Sequence, residues 1–284
     1  MSERQRAWRE RIDGLHPELA NQPLHLLAGG QNNDLVLAGG VIFRLRRYPA
    51  RDGSNAREAD ILRAIGPHLP LAIPNPLDVE PDLLSYPIIP GEPLPRARIP
   101  ENIQPGLAAQ LGRVLWQLHH VPIPPLLEDE RARFRPTETW EDLYARAQAS
   151  VYPLLSRAAR HHVTRHFERF FARQRRVAIS PAVIHGDFGA GNILWAEREA
   201  RVTGVIDFSS AGIGDPAVDL AAASTIQPGL LELLGVVYPG IAPLDERIAF
   251  YRGTFLLQEA VFGAETGDQE ALRDGLAGVE QQAR

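Results

Sequence analysis

The sequence contains no cysteine and no lysine, and it has a single methionine. Without cysteine the chain can form neither disulfides nor thiolate metal sites. Because no lysine occurs, all 30 basic side chains are arginine, and any role that needs a strong cation falls to arginine. No apolar stretch reaches the roughly 20 residues needed to cross a membrane. The net charge of −5 and the lack of a long basic run argue against a nucleic-acid partner.

The remaining composition is that of an ordinary globular protein. The 284 residues, 44% of them apolar, suffice for one large or two medium domains with a sizeable core. The N-terminal segment MSERQRAWRERID is highly charged and has no apolar region, so it does not resemble a signal peptide. We therefore expect a cytoplasmic protein and take a monomer as the working expectation.

Side chains suited to chemistry concentrate between residues 185 and 207, where the sequence reads HGDFGAGNILWAEREARVTGVIDF. Two short β-prone arms flank a polar turn, and antiparallel pairing of the arms would bring Asn192 and Asp207 side by side. Asp187 lies just upstream of both. Hard oxygen ligands of this kind suit Mg²⁺, and Asp-x-x-x-x-Asn followed by a further Asp is the phosphoryl-transfer arrangement of protein kinases. The alternative is a polar loop that only caps a hairpin.

A glycine-containing loop occurs near the N-terminus, in the stretch AGGQNND, and β-prone segments follow it. Glycine lets a backbone approach a bulky ligand closely. We therefore consider Gly29, Gly30 and Asn32 as nucleotide contacts, with an ordinary hairpin turn as the alternative.

The next β-prone segment carries Arg44, and the helix predicted after it carries Glu58. A strand cation paired with a helix glutamate is the nucleotide-anchoring device of kinase-like proteins, where the cation is a lysine. Here it must be arginine, which keeps the charge but has a different, planar geometry. The alternative is a surface ion pair.

An apolar strand at residues 83–94 runs into a Pro/Gly linker, and beyond it the pattern becomes helical. We place a boundary there, between a first unit at 1–91 and a second at 92–284. A strand at such a hinge offers backbone N–H and C=O groups to a purine, although its two prolines lack the donor. The predicted contacts are Ser85, Tyr86, Ile88 and Ile89.

Two stretches, HGDFGAGN and VIDFSSAGIGDPAVDLA, resemble the catalytic loop and the metal-binding segment of the aminoglycoside phosphotransferase family, which is part of the protein-kinase-like superfamily. GGQNNDLVL, VIFRL, READILRAI and PHLPLAIPNP are similar to its N-lobe, the last two to the 2″-phosphotransferase branch. The resemblance runs from about residue 25 to 270. It implies a two-lobed α+β fold, with a small sheet and one main helix in the N-lobe and a larger, mostly helical C-lobe.

The resemblance also implies roles for individual residues. Asp187 is expected to be the catalytic base, Asn192 and Asp207 the Mg²⁺ ligands, and Arg44 and Glu58 the phosphate-anchoring pair. The expected reaction transfers the γ-phosphoryl group of ATP, or of GTP, to a hydroxyl of a small molecule. His185 is expected to support the loop and to take no part in the chemistry.

The acceptor is left open by the sequence. The resemblance makes an aminoglycoside the leading expectation. Such a substrate carries several ammonium groups, and we consider Glu259, Glu265 and Asp268 of the acidic C-terminal segment as their contacts. A solvated helix face explains the same residues. The alternatives are a metabolite kinase acting on choline, homoserine or a sugar, and a nucleotide-binding pseudokinase without turnover.

Overall fold

A computed structural model describes residues 3–27, 33–46, 54–94, 102–174 and 178–284. The predicted nucleotide contacts Gly29, Gly30 and Asn32 lie outside the described residues. Within the described ranges, no helix combines the length and apolar composition that crossing a membrane requires.

The N-terminal part is an antiparallel sheet of five strands in the order β1-β2-β3-β5-β4. The strands are β1 (His25–Leu27), β2 (Asn33–Ala38), β3 (Val41–Arg46), β4 (Val79–Glu80) and β5 (Leu83–Pro87). Gly39 and Gly40 form the turn between β2 and β3, and both have positive φ, at 55° and 84°.

A helix covers each face of this sheet. Successive residues of a strand point to opposite faces, and both faces carry apolar side chains that a helix buries. Phe43 and Leu45 pack with Ile12 of the first helix, α1 (Glu3–Leu15). On the other face, Ile42 and Tyr86 pack with Ala59 of the second helix, α2 (Ser54–Ile65). Arg44 lies on this second face, between the sheet and α2.

The C-terminal part is mostly helical and contains two small antiparallel sheets. Its helices are α3 (Gln104–His119), α4 (Glu128–Arg133), α5 (Glu138–Ser150), α6 (Arg157–Gln174), α7 (Ala217–Ala223), α8 (Leu230–Leu234), α9 (Asp245–Thr266) and α10 (Gln269–Gln282). Its strands are β6 (Glu92–Pro93), β7 (Ala182–Ile184), β8 (Ile193–Ala196), β9 (Arg201–Val205) and β10 (Gly212–Gly214). The predicted α+β class, a small sheet beside a larger helical part, is confirmed.

The helix α2 and the segment after it contact both parts. Ile61, Leu62 and Ile65 of α2 are buried in the core of the C-terminal part. Ala72 forms a parallel bridge with Gly204, and its carbonyl accepts from Val205 N at 3.0 Å. The division at residue 91 stays a prediction, and these contacts show that elements before it are shared between the two parts.

Candidate active site

The predicted hairpin forms, and it brings Asn192 next to the end of β9. Ile193 pairs with Val205, and the N–H of Ile206 donates to the carbonyl of Asn192 at 2.9 Å. Asp207 follows with φ of 61°, in the left-handed region that aspartate tolerates better than most residues. This backbone conformation turns the chain sharply where the hairpin ends. Asn192, where the hairpin begins, lies beside this turn.

Asp187 and Asn192 are in direct contact. Nδ2 of Asn192 donates to the carbonyl of Asp187 at 2.8 Å and to its Oδ2 at 3.0 Å. The carboxylate of Asp187 is exposed, and Oδ1 of Asn192 is left without a partner among the described residues. The site therefore presents a fixed, accessible carboxylate beside a free amide oxygen.

His185 joins the loop of Asp187 to the loop of Asp207. Its Nδ1 accepts from Asp187 N at 3.1 Å, and its Nε2–H donates to the carbonyl of Ile206 at 3.0 Å. The ring is fully buried. Both ring nitrogens serve the backbone, which agrees with the expectation that His185 supports the loop.

A buried brace made of Asp219, His119 and Tyr238 supports the loop of Asp187 from inside the C-terminal part. Asp219 accepts from the N–H groups of His185 and Gly186, both at 2.8 Å, and contacts His119 Nε2 at 3.0 Å. His119 Nδ1 in turn lies 2.8 Å from the hydroxyl of Tyr238. Burial acts to raise the pKa of Asp219, but its contacts with His119 and the neighbouring His185 hold that pKa below its ordinary value. No local sequence pattern indicates Tyr238 as a member of this brace.

Gly186 completes this arrangement because only glycine fits there. Its φ is 82°, and a Cβ at this position would lie 2.5 Å from the carbonyl oxygen of Ser210. The loop of Asp187 and the loop after Asp207 can therefore approach each other closely.

Arg44 and Glu58 form the expected pair, and it is buried. Arg44 Nη1 lies 2.9 Å from Glu58 Oε1, and a second bond joins Nη2 to Oε2. Their side chains are 5% and 2% exposed, which excludes a surface ion pair. Burial opposes the charge of Arg44, but the hydrogen bonds and charge of Glu58 raise its pKa. Arg44 Nη1 also lies 3.5 Å from Asp207 Oδ1, so the pair contacts a side-chain carboxylate of the C-terminal part.

Asn55 supports Arg44 and was missed by the sequence interpretation. Its Oδ1 lies 3.4 Å from Arg44 Nη2 and 3.1 Å from Arg46 Nη2, and its Nδ2 donates to the carbonyl of Glu80 at 2.8 Å. Asn55 precedes Glu58 by one helical turn, a spacing that places both on one face of α2.

The predicted hinge contacts differ in what they leave free. The carbonyl of Ser85 accepts from the N–H of Leu77, its N–H donates to the carbonyl of Asp78, and its hydroxyl donates to the Asp78 carboxylate. The N–H of Ile88 donates to the carbonyl of Gly40 at 2.8 Å. Burial raises the pKa of the Tyr86 phenol to about 12, so it is neutral. Among the described residues, no backbone group accepts from the N–H of Ile89. The structure thus leaves Ile89, and neither Ser85 nor Ile88, with an unused backbone donor.

Two of the three acidic residues predicted for the acceptor have internal partners. Glu265 pairs with both ends of the Arg146 guanidinium at 2.8 and 2.6 Å, and Asp268 caps α10 by accepting from two backbone N–H groups at 3.1 Å. Glu259 is half-buried on α9. In the described contacts, none of the three touches Asp187, Asn192 or Asp207, so the structure does not bring these acids to the carboxylates of the hairpin.

Comparison with known proteins identifies the family of this chain. A model of the phosphotransferase enzyme family matches residues 24–247. The chain belongs to this family. Viomycin phosphotransferase of Streptomyces vinaceus is 32% identical to this phosphotransferase over 269 residues, which are 88% of this chain and 90% of that protein. The predicted membership of the aminoglycoside phosphotransferase family, and with it a small-molecule kinase, is confirmed.

Solved structures share the fold of this phosphotransferase at lower identity. An aminoglycoside 2″-phosphotransferase in complex with GDP and kanamycin superposes with a TM-score of 0.83 at 20% identity and covers 97% of both chains. A macrolide 2′-phosphotransferase of type I superposes with a TM-score of 0.75 at 21% identity, covering 100% of this chain and 98% of the other. These likenesses establish the two-lobed fold.

Proposed function

We propose that this phosphotransferase transfers the γ-phosphoryl group of ATP or GTP to a hydroxyl of a small-molecule antibiotic, with an aminoglycoside as the first acceptor to test. The observation that carries the proposal is the meeting of Asp187, Asn192 and Asp207 at one end of a hairpin. Arg44 reaches the same place from the sheet. Phosphoryl-transfer enzymes of the kinase type use this combination. Because the set is intact, a pseudokinase without turnover is disfavoured.

In this reaction Asp187 accepts the proton of the acceptor hydroxyl as the hydroxyl oxygen bonds to the γ-phosphorus. The bond from that phosphorus to the β–γ bridging oxygen breaks, and the nucleoside diphosphate leaves. Asn192 holds Asp187 Oδ2 at 3.0 Å, so Oδ1 remains for the proton. Positioning and electrostatic stabilisation supply most of the acceleration in such a site.

The residues present fit a magnesium ion. Asn192 turns its Nδ2 toward Asp187, which leaves its Oδ1 as an oxygen ligand, and the side chain of Asp207 is 41% exposed. Magnesium is usually bound through one or two carboxylates together with phosphates and water. When bound between Asn192 and Asp207, it would neutralise charge on the phosphates.

The nucleotide would lie between the sheet and the hairpin. Arg44 would contact its phosphates, because the guanidinium already lies beside Asp207. We assign the N–H of Ile89 as the donor for a purine edge and the carbonyl of Pro87, the last residue of β5, as the acceptor. A purine that both donates and accepts would match these two groups.

The choice of an antibiotic acceptor rests on the relatives. The 32% identical protein is named for viomycin, and a structure of the same fold contains kanamycin. An acceptor screen therefore starts with kanamycin, gentamicin and viomycin, and includes choline, homoserine and simple sugars as the metabolite alternatives.

The test measures nucleoside diphosphate release with each acceptor, using ATP and GTP, with and without Mg²⁺. We expect Mg²⁺-dependent release that requires an antibiotic acceptor. Asp187→Asn should lower the rate by roughly 10³ and leave nucleotide binding intact, while the exposed Asp274→Asn control should match the wild type. Near-normal turnover in Asp187→Asn would overturn the mechanism, and turnover with metabolites alone would overturn the acceptor class.

A further inference from the structure

Arg57 connects helix α2 to two separate elements of the C-terminal part. Its Nη1 donates to the carbonyl of Ala211 at 2.7 Å, and its Nη2 donates to Oε2 of Glu130 on α4 at 2.7 Å. The other oxygen of Glu130 accepts from the N–H of Ile213 at 2.7 Å. Two side chains thus join α2, α4 and the segment that follows Asp207.

Gly212 provides the space for this junction. A Cβ at position 212 would lie 2.6 Å from Arg57 Nη2 and 2.6 Å from Glu130 Oε1. Gly212 is buried in β10 and pairs with Ile184 of β7, the residue immediately before His185. The junction therefore rests on a backbone that is continuous with both loops of the active site.

The same helix reaches the start of the Asp207 segment by a second route. Glu58, next to Arg57 in sequence, pairs with Arg44, and Arg44 lies 3.5 Å from Asp207. Arg57 holds Ala211, four positions after Asp207. Contacts at both ends of residues 207–211 fix the rotation of α2 against that segment, because turning the helix would break both.

A matched pair on the same helix shows what is unusual here. Arg63 contacts Asp60 at 3.3 Å within one turn of α2, and both side chains are about half exposed, at 50% and 59%. Arg57 and Glu130 are similarly accessible, at 42% and 38%, so their net contribution to stability is small. Their contact differs because it joins α2 to the C-terminal part, and small displacements in an active site have large effects on rate.

We propose that Arg57 and Glu130 are positioning residues that form a latch between the two parts of the enzyme. The latch sets the angle of α2, and so places Arg44 against Asp207 for nucleotide binding. The proposal rests on the proposed kinase function, because it assigns Arg44 to the phosphates. Its consequence is that an ordinary-looking pair of half-exposed charges controls affinity for nucleotide.

The test compares Arg57→Gln and Glu130→Gln with Arg63→Gln as the matched control. In Glu130→Gln the side chain can still accept from the N–H of Ile213, but it has lost the negative charge that attracts the guanidinium of Arg57. This variant therefore breaks the contact with Arg57 selectively. We expect both latch variants to raise the KM and the Kd for Mg²⁺-nucleotide about tenfold, with kcat changed less and the Tm nearly unchanged. The double variant should lose no more than either single one.

The Kd is measured by titration with a fluorescent nucleotide, which needs no acceptor. Equal Kd values in Arg57→Gln, Glu130→Gln and Arg63→Gln would overturn the latch and leave the proposed function standing. A wild type that binds nucleotide but phosphorylates no acceptor would count against the proposed function, and the Kd comparison would still decide the latch. If Arg57→Gln fails to fold, Glu130→Gln alone carries the comparison.

Discussion

The two loops that carry the carboxylates of the candidate site, Asp187 and Asp207, are held in different ways. The loop of Asp187 is fixed by the buried brace of Asp219, His119 and Tyr238, which lies wholly within the C-terminal part. The loop after Asp207 is held from the N-terminal part, by Arg44 of β3 and by the half-exposed Arg57 of α2. One support is internal and dry, and the other crosses between two parts.

This difference separates stability from function. Breaking a buried, fully bonded network leaves desolvated polar groups without partners, so its cost falls on the folded state. Breaking the contact of Arg57 with Glu130 leaves side chains that water already reaches, at 42% and 38% exposed, so its cost falls on the geometry of the bound nucleotide. We therefore expect changes in the brace to lower mainly the unfolding free energy. Changes in the contacts of Arg44 and Arg57 should alter mainly the KM for nucleotide.

The largest effect is expected from Asp219→Ala. It leaves the N–H groups of His185 and Gly186 and the ring of His119 without their acceptor in a fully buried site. Removing one partner of such a buried pair costs about 3–5 kcal/mol of unfolding free energy. Urea unfolding measures this loss, and the exposed Asp274→Ala should leave the midpoint unchanged. A loss as small as that of the control would contradict a structural role for the brace.

Arg44→Lys tests the other side of the comparison. Lysine keeps the charge but replaces a two-point contact with Glu58 by a single one, and it cannot hold Glu58 and Asp207 in the same fixed geometry. We expect the KM for nucleotide to rise about tenfold with a smaller loss of stability than in Asp219→Ala. Arg46→Lys, on the same strand and in contact with Ser54 and Asn55, is the control. An unchanged KM would mean that the guanidinium fork is not used.

The parts of the site that the sequence predicts are those with short-range patterns. The hairpin that pairs Asn192 with Asp207 follows from two β-prone arms around a polar turn, and the partnership of Arg44 with Glu58 follows from charge on a strand and on the next helix. The apolar stripe of Ile61, Leu62 and Ile65 is equally visible, but it does not say which part of the protein buries it.

The contacts that the sequence does not predict join residues far apart in the chain. Asp219 meets His119 across 100 positions, and Arg57 meets Glu130 across 73. In a chain with 30 arginines, local pattern gives no reason to prefer Arg57 over Arg63. The acids at 265 and 268 show the converse, because a charged helix face predicts acidity but not the internal partners that use it.

Acid pH should reveal the brace without removing it. The pKa of Asp219 lies below its ordinary value of 3.8 in the folded protein, so the ionised group stabilises the fold above that pH, and this contribution is lost as the pH falls through the folded pKa. As the pH falls below about 5, the unfolding free energy of the wild type should therefore decrease more steeply than that of Asp219→Asn. Parallel slopes for the two proteins would show that Asp219 gains no stabilisation from its charge.

The smallest effect separates packing from transmission along the brace. Tyr238→Phe removes the hydroxyl that contacts His119 at 2.8 Å, and Tyr152→Phe removes a similar contact to Thr164 at 3.0 Å. Each should lower the unfolding free energy by about 1 kcal/mol. Because Tyr238 orients His119, which contacts the Asp219 carboxylate, only Tyr238→Phe should also lower kcat, by about two- to threefold, with KM unchanged. An equal kcat in the two variants would mean that the brace ends at His119 and that Tyr238 only fills space.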